Sequence, residues 1–194
     1  MSTQANTFVS PAEYLEIERR AEFKSEYYRG EMFAMAGASP RHAWITGNLV
    51  RELGQRLKSK PCRVSASDLR LRVTPTGLYT YPDVVVVCGE PQFADDQADT
   101  LLNPKLIVEV LSDSTRDYDR GRKFQHYRSL PSLAEYLTVE QNEPRVERWT
   151  RQPENEWLLK EFTSLDQSIR LSSLECDLPL AEIYDKIDWA AEAV

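Results

Sequence analysis

Two acids stand inside apolar runs that have no cheap place for a charge. Asp83 follows Tyr81-Pro82 and precedes four valines, Val84 to Val87, and Glu109 sits in Leu106-Ile107-Val108-Glu109-Val110-Leu111. Runs of this length, β-branching and flanking punctuation read as strands of a covered sheet. An ionised carboxylate there costs several kcal/mol unless it is paired, hydrogen-bonded or bound to a metal. Two such strands side by side would hold Mg²⁺ (or Mn²⁺) through oxygen ligands, with water and a substrate phosphate completing the shell. A metal so held generates a nucleophilic water and screens phosphate charge. Lys123 borders the apolar face of a later helix, four residues before Tyr127, and would supply electrostatic stabilisation to such chemistry. Accessory candidates are Glu26, Asp68 and His42. Each has a plainer reading: Asp83 as a solvated strand start, Glu109 on an open face, Lys123 as a surface lysine, His42 as a cap, Glu26 as a hairpin charge.

The elements that must position these residues follow from local pattern. Ser10-Pro11-Ala12-Glu13 is a capping box with proline at the first helical position, opening a helix of about ten residues. Glu26 to Phe33, with Arg29-Gly30 in the middle, suits a hairpin. Ser39-Pro40 opens a second helix, in which Ile45, Leu49, Leu53 and Leu57 form an apolar stripe. From Cys62 to Val73 the alternation changes parity near Ser67-Asp68, which predicts a bulge in one long strand paired antiparallel with Tyr79 to Cys88. Gly89 to Asn103 reads as a mobile acidic loop. Ser114-Thr115-Arg116-Asp117 resembles another capping box, starting a helix to about Arg128. Strands over Glu135 to Glu140, Arg145 to Thr150 and Trp157 to Thr163 form a meander, followed by a short helix near Leu180 to Ile187.

Bulk composition sets limits. The 194 residues, 41% hydrophobic, are expected to form a single domain over 1–194, with Met1 to Val9 disordered. The net charge of −7 excludes a protein that coats nucleic acid through its overall field. Between Arg41 and Arg72, however, eight basic residues stand against two acids, so Arg41, Arg70 and Arg72 are candidate nucleic-acid contacts. Cys62, Cys88 and Cys176 have no metal-type spacing and read as reduced, mostly buried thiols of a cytoplasmic protein. No apolar run is long enough to span a bilayer, so no membrane partner is expected.

Taken together, Glu26 with Gly30, Ser39-Pro40-Arg41-His42, Ser67-Asp68-Leu69-Arg70, Tyr81 to Val87, Leu106 to Ser112, and Asp119 to Lys123 with Tyr127 resemble the Uma2 family (domain of unknown function 820) of restriction-endonuclease-like proteins. That family is similar to the PD-(D/E)XK nuclease superfamily. The resemblance covers nearly the whole chain. It implies an α+β or α/β fold, a restriction-endonuclease-like mixed central sheet flanked by helices, with an N-terminal hairpin and a C-terminal meander. It also implies Asp83 and Glu109 as metal-binding catalytic acids, Mg²⁺-dependent endonuclease activity, and DNA as substrate. A homodimer is the expected assembly. One departure matters: the lysine usually found two residues after the second acid is replaced by Leu111, and the resemblance places it at Lys123 on the next helix. The competing classes are a catalytically inactive binding or assembly module with the same fold, and a metal-independent hydrolase with paired carboxylates.

Overall fold

The computed structural model describes residues 8–113 and 115–189. Two larger sheets, a two-stranded hairpin and their helices make up the described fold. A six-stranded sheet runs in the order β11-β10-β9-β8-β6-β3 and a five-stranded sheet in the order β2-β1-β5-β4-β7, with a separate hairpin β12-β13. The strands of the larger sheet are β3 (Cys62–Ala66), β6 (Val84–Cys88), β8 (Leu106–Leu111), β9 (Glu135–Glu140), β10 (Val146–Arg151) and β11 (Trp157–Phe162). The smaller sheet contains β1 (Ser25–Tyr28), β2 (Glu31–Ala34), β4 (Arg70–Val73), β5 (Leu78–Thr80) and β7 (Thr100–Leu101). The hairpin comprises β12 (Ser168–Leu171) and β13 (Cys176–Pro179), which sequence pattern had not suggested.

The helices are α1 (Pro11–Glu18), α2 (Pro40–Arg56), α3 (Arg116–Tyr118), α4 (Phe124–Tyr127) and α5 (Leu180–Ile183). Both halves of the capping box at Ser10 and Glu13 form, and Ser39 caps α2 through the His42 amide. Ile45, Leu49 and Leu53 of α2 are wholly buried against Val84, Val86, Leu106, Val108 and Val110. Each such side chain contributes roughly 1.5–3 kcal/mol by burial, so Leu49→Asp would detach the helix. The opposite face of the sheet, through Val85, Val87 and Ile107, packs on Phe124 and Tyr127. Alternation therefore puts Glu109, next but one to Ile107, on this second face. Extending the β6–β8 register by one residue beyond Val84↔Val108 sets Asp83 opposite Glu109, on the same face.

Three expectations are corrected. The parity change near Ser67-Asp68 is a corner: β3 pairs with β6 in the larger sheet, while β4 pairs with β5 in the smaller. The partner chain breaks likewise between Thr80 and Val84, so one long hairpin becomes two pairs in two sheets. The Gly89 to Asn103 segment is not loose, for it contains β7, and Arg19 donates to Asp99 and Asp95 at 2.7 Å each. Cys62 and Cys88, directly opposed on β3 and β6, form a disulfide, leaving Cys176 as the free, buried thiol. Sequence spacing cannot show that a β-pairing will oppose two cysteines 26 residues apart.

At the N-terminus, the Val9 amide donates to Gly30 O at 3.1 Å and Tyr27 Oη donates to Val9 O at 2.9 Å. The rest of the segment expected to be disordered, residues 1–7, lies outside the described residues, as does Ser114 of the second capping box. Thr115 stands at the cap of α3 without a side-chain capping bond. The hairpin turn is as expected, with Arg29 and Gly30 both at positive φ, 48° and 91°. Among the described residues no helix is long and apolar enough to cross a membrane.

Candidate active site

Between α3 and α4 the backbone forms a π turn over Asp119–Lys123, a local widening often found at functional sites. It carries Lys123, only 6% exposed, over the row of acids on the sheet. The ammonium lies 3.1 Å from Glu26 Oε1, 3.2 Å from Glu109 Oε1 and 3.2 Å from Asp119 Oδ1. All three carboxylates are almost completely buried. One ammonium is thus surrounded by three acids that come from β1, β8 and its own helical turn.

Hydrogen bonds fix each acid separately. Tyr127 Oη donates to Glu109 Oε1 at 2.7 Å, and the Asp83 amide donates to Glu109 Oε2 at 3.3 Å. Asp83 Oδ2 accepts from the Val110 amide at 2.8 Å and lies 3.1 Å from His42 Nε2. Tyr118 Oη donates to Glu26 Oε2 at 3.0 Å, and Thr80 Oγ1 donates to Glu26 Oε1 at 2.5 Å. Tyr136 Oη donates to the Asp119 carbonyl at 3.0 Å, holding the π turn down on the sheet.

Charge is unbalanced in this group. Burial pushes the Glu109 carboxyl up to about 8, reinforced by the Asp119 and Asp83 charges and opposed by Lys123. Burial likewise raises Asp119. Burial works against the Lys123 charge, yet Glu109, Tyr127, Glu26 and Asp119 together hold its ammonium well above the usual lysine range. The two directions agree physically: burial with only one ammonium for three carboxylates raises Glu109 and Asp119, while the surrounding carboxylates hold the lysine charged. For His42, burial acts to lower the imidazole, but Asp83 outweighs it and raises it.

Beside this cluster, Arg120 reaches Glu140 at 3.0 Å and Glu147 at 2.9 Å, and Arg116 reaches Glu140 at 2.9 Å. The acids form a line across the sheet, since Glu109 pairs with Thr138, Thr138 with Glu147, and Glu147 with Glu161. The helical segment from Arg116 to Tyr127 lays three cations along that line.

Of the residues singled out from sequence, Asp83, Glu109, Lys123, Glu26 and His42 come together. Asp68 does not: its exposed carboxylate pairs with Lys24 at the surface. Arg70 is withdrawn from nucleic-acid contact, being 5% exposed, with Nε donating to Tyr81 Oη at 3.0 Å and Nη2 to Asp99 at 3.4 Å. Arg41 is engaged by Asn142 and the Asp188 carbonyl, and Arg72 lies over the Tyr79 ring. Sequence reading missed Asp119, Tyr118, Tyr127 as a carboxylate donor, and Thr80. The four-residue interval from Asp119 to Lys123 was the available signal, an i,i+4 ion pair on an otherwise inward helix face.

A divalent cation fits the donors only in one way. Among the described residues no group of three or more His, Cys, Asp or Glu side chains is arranged to hold a metal. Asp83 receives both its contacts on Oδ2, and Glu109 Oε2 receives only a backbone amide, so each acid keeps lone pairs for a cation. Two hard carboxylates with the remaining positions filled by water and phosphate suit Mg²⁺, not a cage-seeking ion such as zinc.

Comparison with known proteins gives a consistent relationship. A family model named Uma2, described as "Putative restriction endonuclease", matches residues 11–181. Two relatives come from Synechocystis sp. and carry the names "Uncharacterized protein sll1609" and "Uncharacterized protein slr1290". The first is 37% identical over 175 residues, covering 90% of this chain and 99% of the relative. The second is 35% identical over 176 residues, covering 91% of each. A crystal structure from Anabaena variabilis, described as "a putative nuclease belonging to DUF820", superposes with a TM-score of 0.72 at 18% identity. It covers 89% of this chain and 96% of the other, and the likeness shows a shared fold.

Proposed function

The chain belongs to the Uma2 family, and from that premise we propose that it is an endonuclease hydrolysing DNA phosphodiester bonds with the help of Mg²⁺ (or Mn²⁺). The observation that carries this reading is the Lys123 ammonium 3.2 Å from Glu109, with Asp83 beside Glu109 on the neighbouring strand and bound to it through its backbone amide. Asp83 and Glu109 would hold the cation, which when bound supplies charge neutralisation at the phosphate and a more acidic water.

The chain's own groups do the rest. His42 and the Val110 amide hold the Asp83 carboxylate in one orientation. Tyr127 and the Asp83 amide do the same for Glu109. Lys123 presents a fixed positive charge where negative charge grows on the phosphate oxygens during water attack, replacing the lysine absent from position 111. Glu26 and Asp119 keep Lys123 charged and pointed, so they are positioning residues. The test is plasmid and oligonucleotide cleavage by wild type, Asp83→Ala and Lys123→Ala with and without Mg²⁺. Metal-dependent nicking lost in Asp83→Ala supports the reading. Equal, metal-independent behaviour of all three proteins would leave an inactive member of the fold.

A further inference from the structure

Two features outside the carboxylate cluster bear on what the site accepts. The first is electrostatic. Much of the basic charge between residues 41 and 72 is already spent inside the protein: Arg51 on Glu52, Glu182 and Asp185, Arg56 on Glu52, Lys60 on the Leu174 carbonyl, and Arg70 on Tyr81 and Asp99. With a net charge of −7, phosphate attraction by counterion release is a weak source of affinity here. Something other than charge has to hold a nucleic acid at the site.

The second is an aromatic ring in the right place. Phe33 on β2 is directly opposite Glu26 on β1. Directly opposed residues of an antiparallel pair share a face, with Cβ atoms about 5 Å apart. Glu26 on that face reaches Lys123, so Phe33 flanks the cluster. β2 is the edge of its sheet, and Phe33 is 49% exposed. Tyr28, two residues along the same face, is by contrast packed against His126, with ring centroids 4.8 Å apart.

We propose that Phe33 is a stacking platform for an unpaired nucleobase beside the scissile phosphate, and that the substrate class is single-stranded or locally unpaired nucleic acid. This rests on the hydrolase reading above and specifies its substrate. In a duplex both faces of each base are covered by neighbours, so a ring at the sheet edge meets only sugar and phosphate. A single strand offers every base face to it, and stacking is indifferent to sequence and little affected by net charge. Losing one such contact weakens binding roughly ten- to a hundredfold.

The test is a binding measurement that needs no cleavage: fluorescence anisotropy of labelled oligo-dT, oligo-rU and a duplex of equal length, in EDTA, with wild type, Phe33→Ala, Phe33→Leu and Phe33→Trp. Wild type is expected to prefer the single strands, Phe33→Ala and Phe33→Leu to lose roughly ten- to a hundredfold on them but not on the duplex, and Phe33→Trp to retain binding. The dT and rU arms separate DNA from RNA. Equal single-strand affinity for wild type and Phe33→Ala, a preference for duplex, or no binding at all overturns the proposal. So does a Phe33→Ala protein that changes from dimer to monomer in sedimentation, since the ring would then be a subunit contact. Phe33-dependent binding without any metal-dependent cleavage would sink the hydrolase reading alone. Cleavage with Phe33-independent binding would sink the stacking site alone.

Discussion

The backbone amide of Asp83 donates to the carboxylate of Glu109 at 3.3 Å, while the next amide after Glu109, that of Val110, donates to Asp83 Oδ2 at 2.8 Å. Each acid is thus held by the strand of the other. Register between β6 and β8 and the orientation of the two carboxylates are a single geometric fact. Asp83→Ala should abolish Mg²⁺-dependent cleavage, and Asp83→Asn should reduce it nearly as much, because the amide loses the negative oxygen but keeps the shape. Far-UV circular dichroism of both variants should match wild type. Cleavage by Asp83→Ala at the wild-type rate would remove Asp83 from the machinery.

Lys123→Ala is expected to slow cleavage by about 10²-fold, the scale of one preorganised electrostatic group. Lys123→Arg keeps the charge but not the compact ammonium, and should recover only part of the loss. A Lys123→Ala protein fully active per folded molecule would reduce the residue to a structural ion.

The same substitution should also destabilise the fold, contrary to what a boundary lysine would do. Removing the ammonium leaves Glu26, Glu109 and Asp119 buried together, a loss of about 3–5 kcal/mol for a broken buried pair. Glu109 and Asp119, already raised by burial, would hold their protons more firmly, so their folded pKa values lie above the unfolded ones. The native state then binds more protons than the unfolded state, and stability falls as pH rises from about 5 to 8. Urea melts of Lys123→Ala at the two ends of that window should therefore differ more than those of wild type.

Asp99 behaves in the opposite sense. Hydrogen bonds from Arg19, opposed by burial and aided by Thr100 and Arg70, lower its carboxyl from 3.8 to about 2. Its contribution is present above the unfolded value and is lost as pH falls through the folded one. After solvent screening it is on the order of 1 kcal/mol. Asp99→Asn should flatten the acid limb of stability between pH about 4 and 2, and should raise hydrogen exchange in the 89–103 segment.

The Cys62–Cys88 disulfide closes a loop of 26 residues in sequence separation. Its reduction should cost about 2–4 kcal/mol. Thiol titration of denatured protein should give one reactive group before reduction and three after, from Cys176 and the opened pair. Three before reduction would mean that the pair is open in solution.

Sequence alone determined most of the local elements, since caps, turns and apolar period depend on neighbours: the Ser10-Glu13 box, the Arg29-Gly30 turn, the α2 stripe and the meander strands all form as their residues dictate. It also marked Asp83 and Glu109, because a charge inside a continuous aliphatic run is anomalous wherever that run folds. Tertiary structure decided what depends on partners remote in sequence. The change of parity at Ser67-Asp68 became a corner between sheets because β4 and β5 pair on one side of it and β3 and β6 on the other. Arg70 looked like a surface cation until Tyr81 and Asp99 closed over it. Lys123 could be placed near the sheet by its period, but the three acids around it arrive from β1, β8 and a π turn. The i,i+4 interval brings Asp119 locally, but no local pattern brings Glu26 and Glu109 to the same ammonium, because that meeting exists only once the two sheets and the helical segment are packed together.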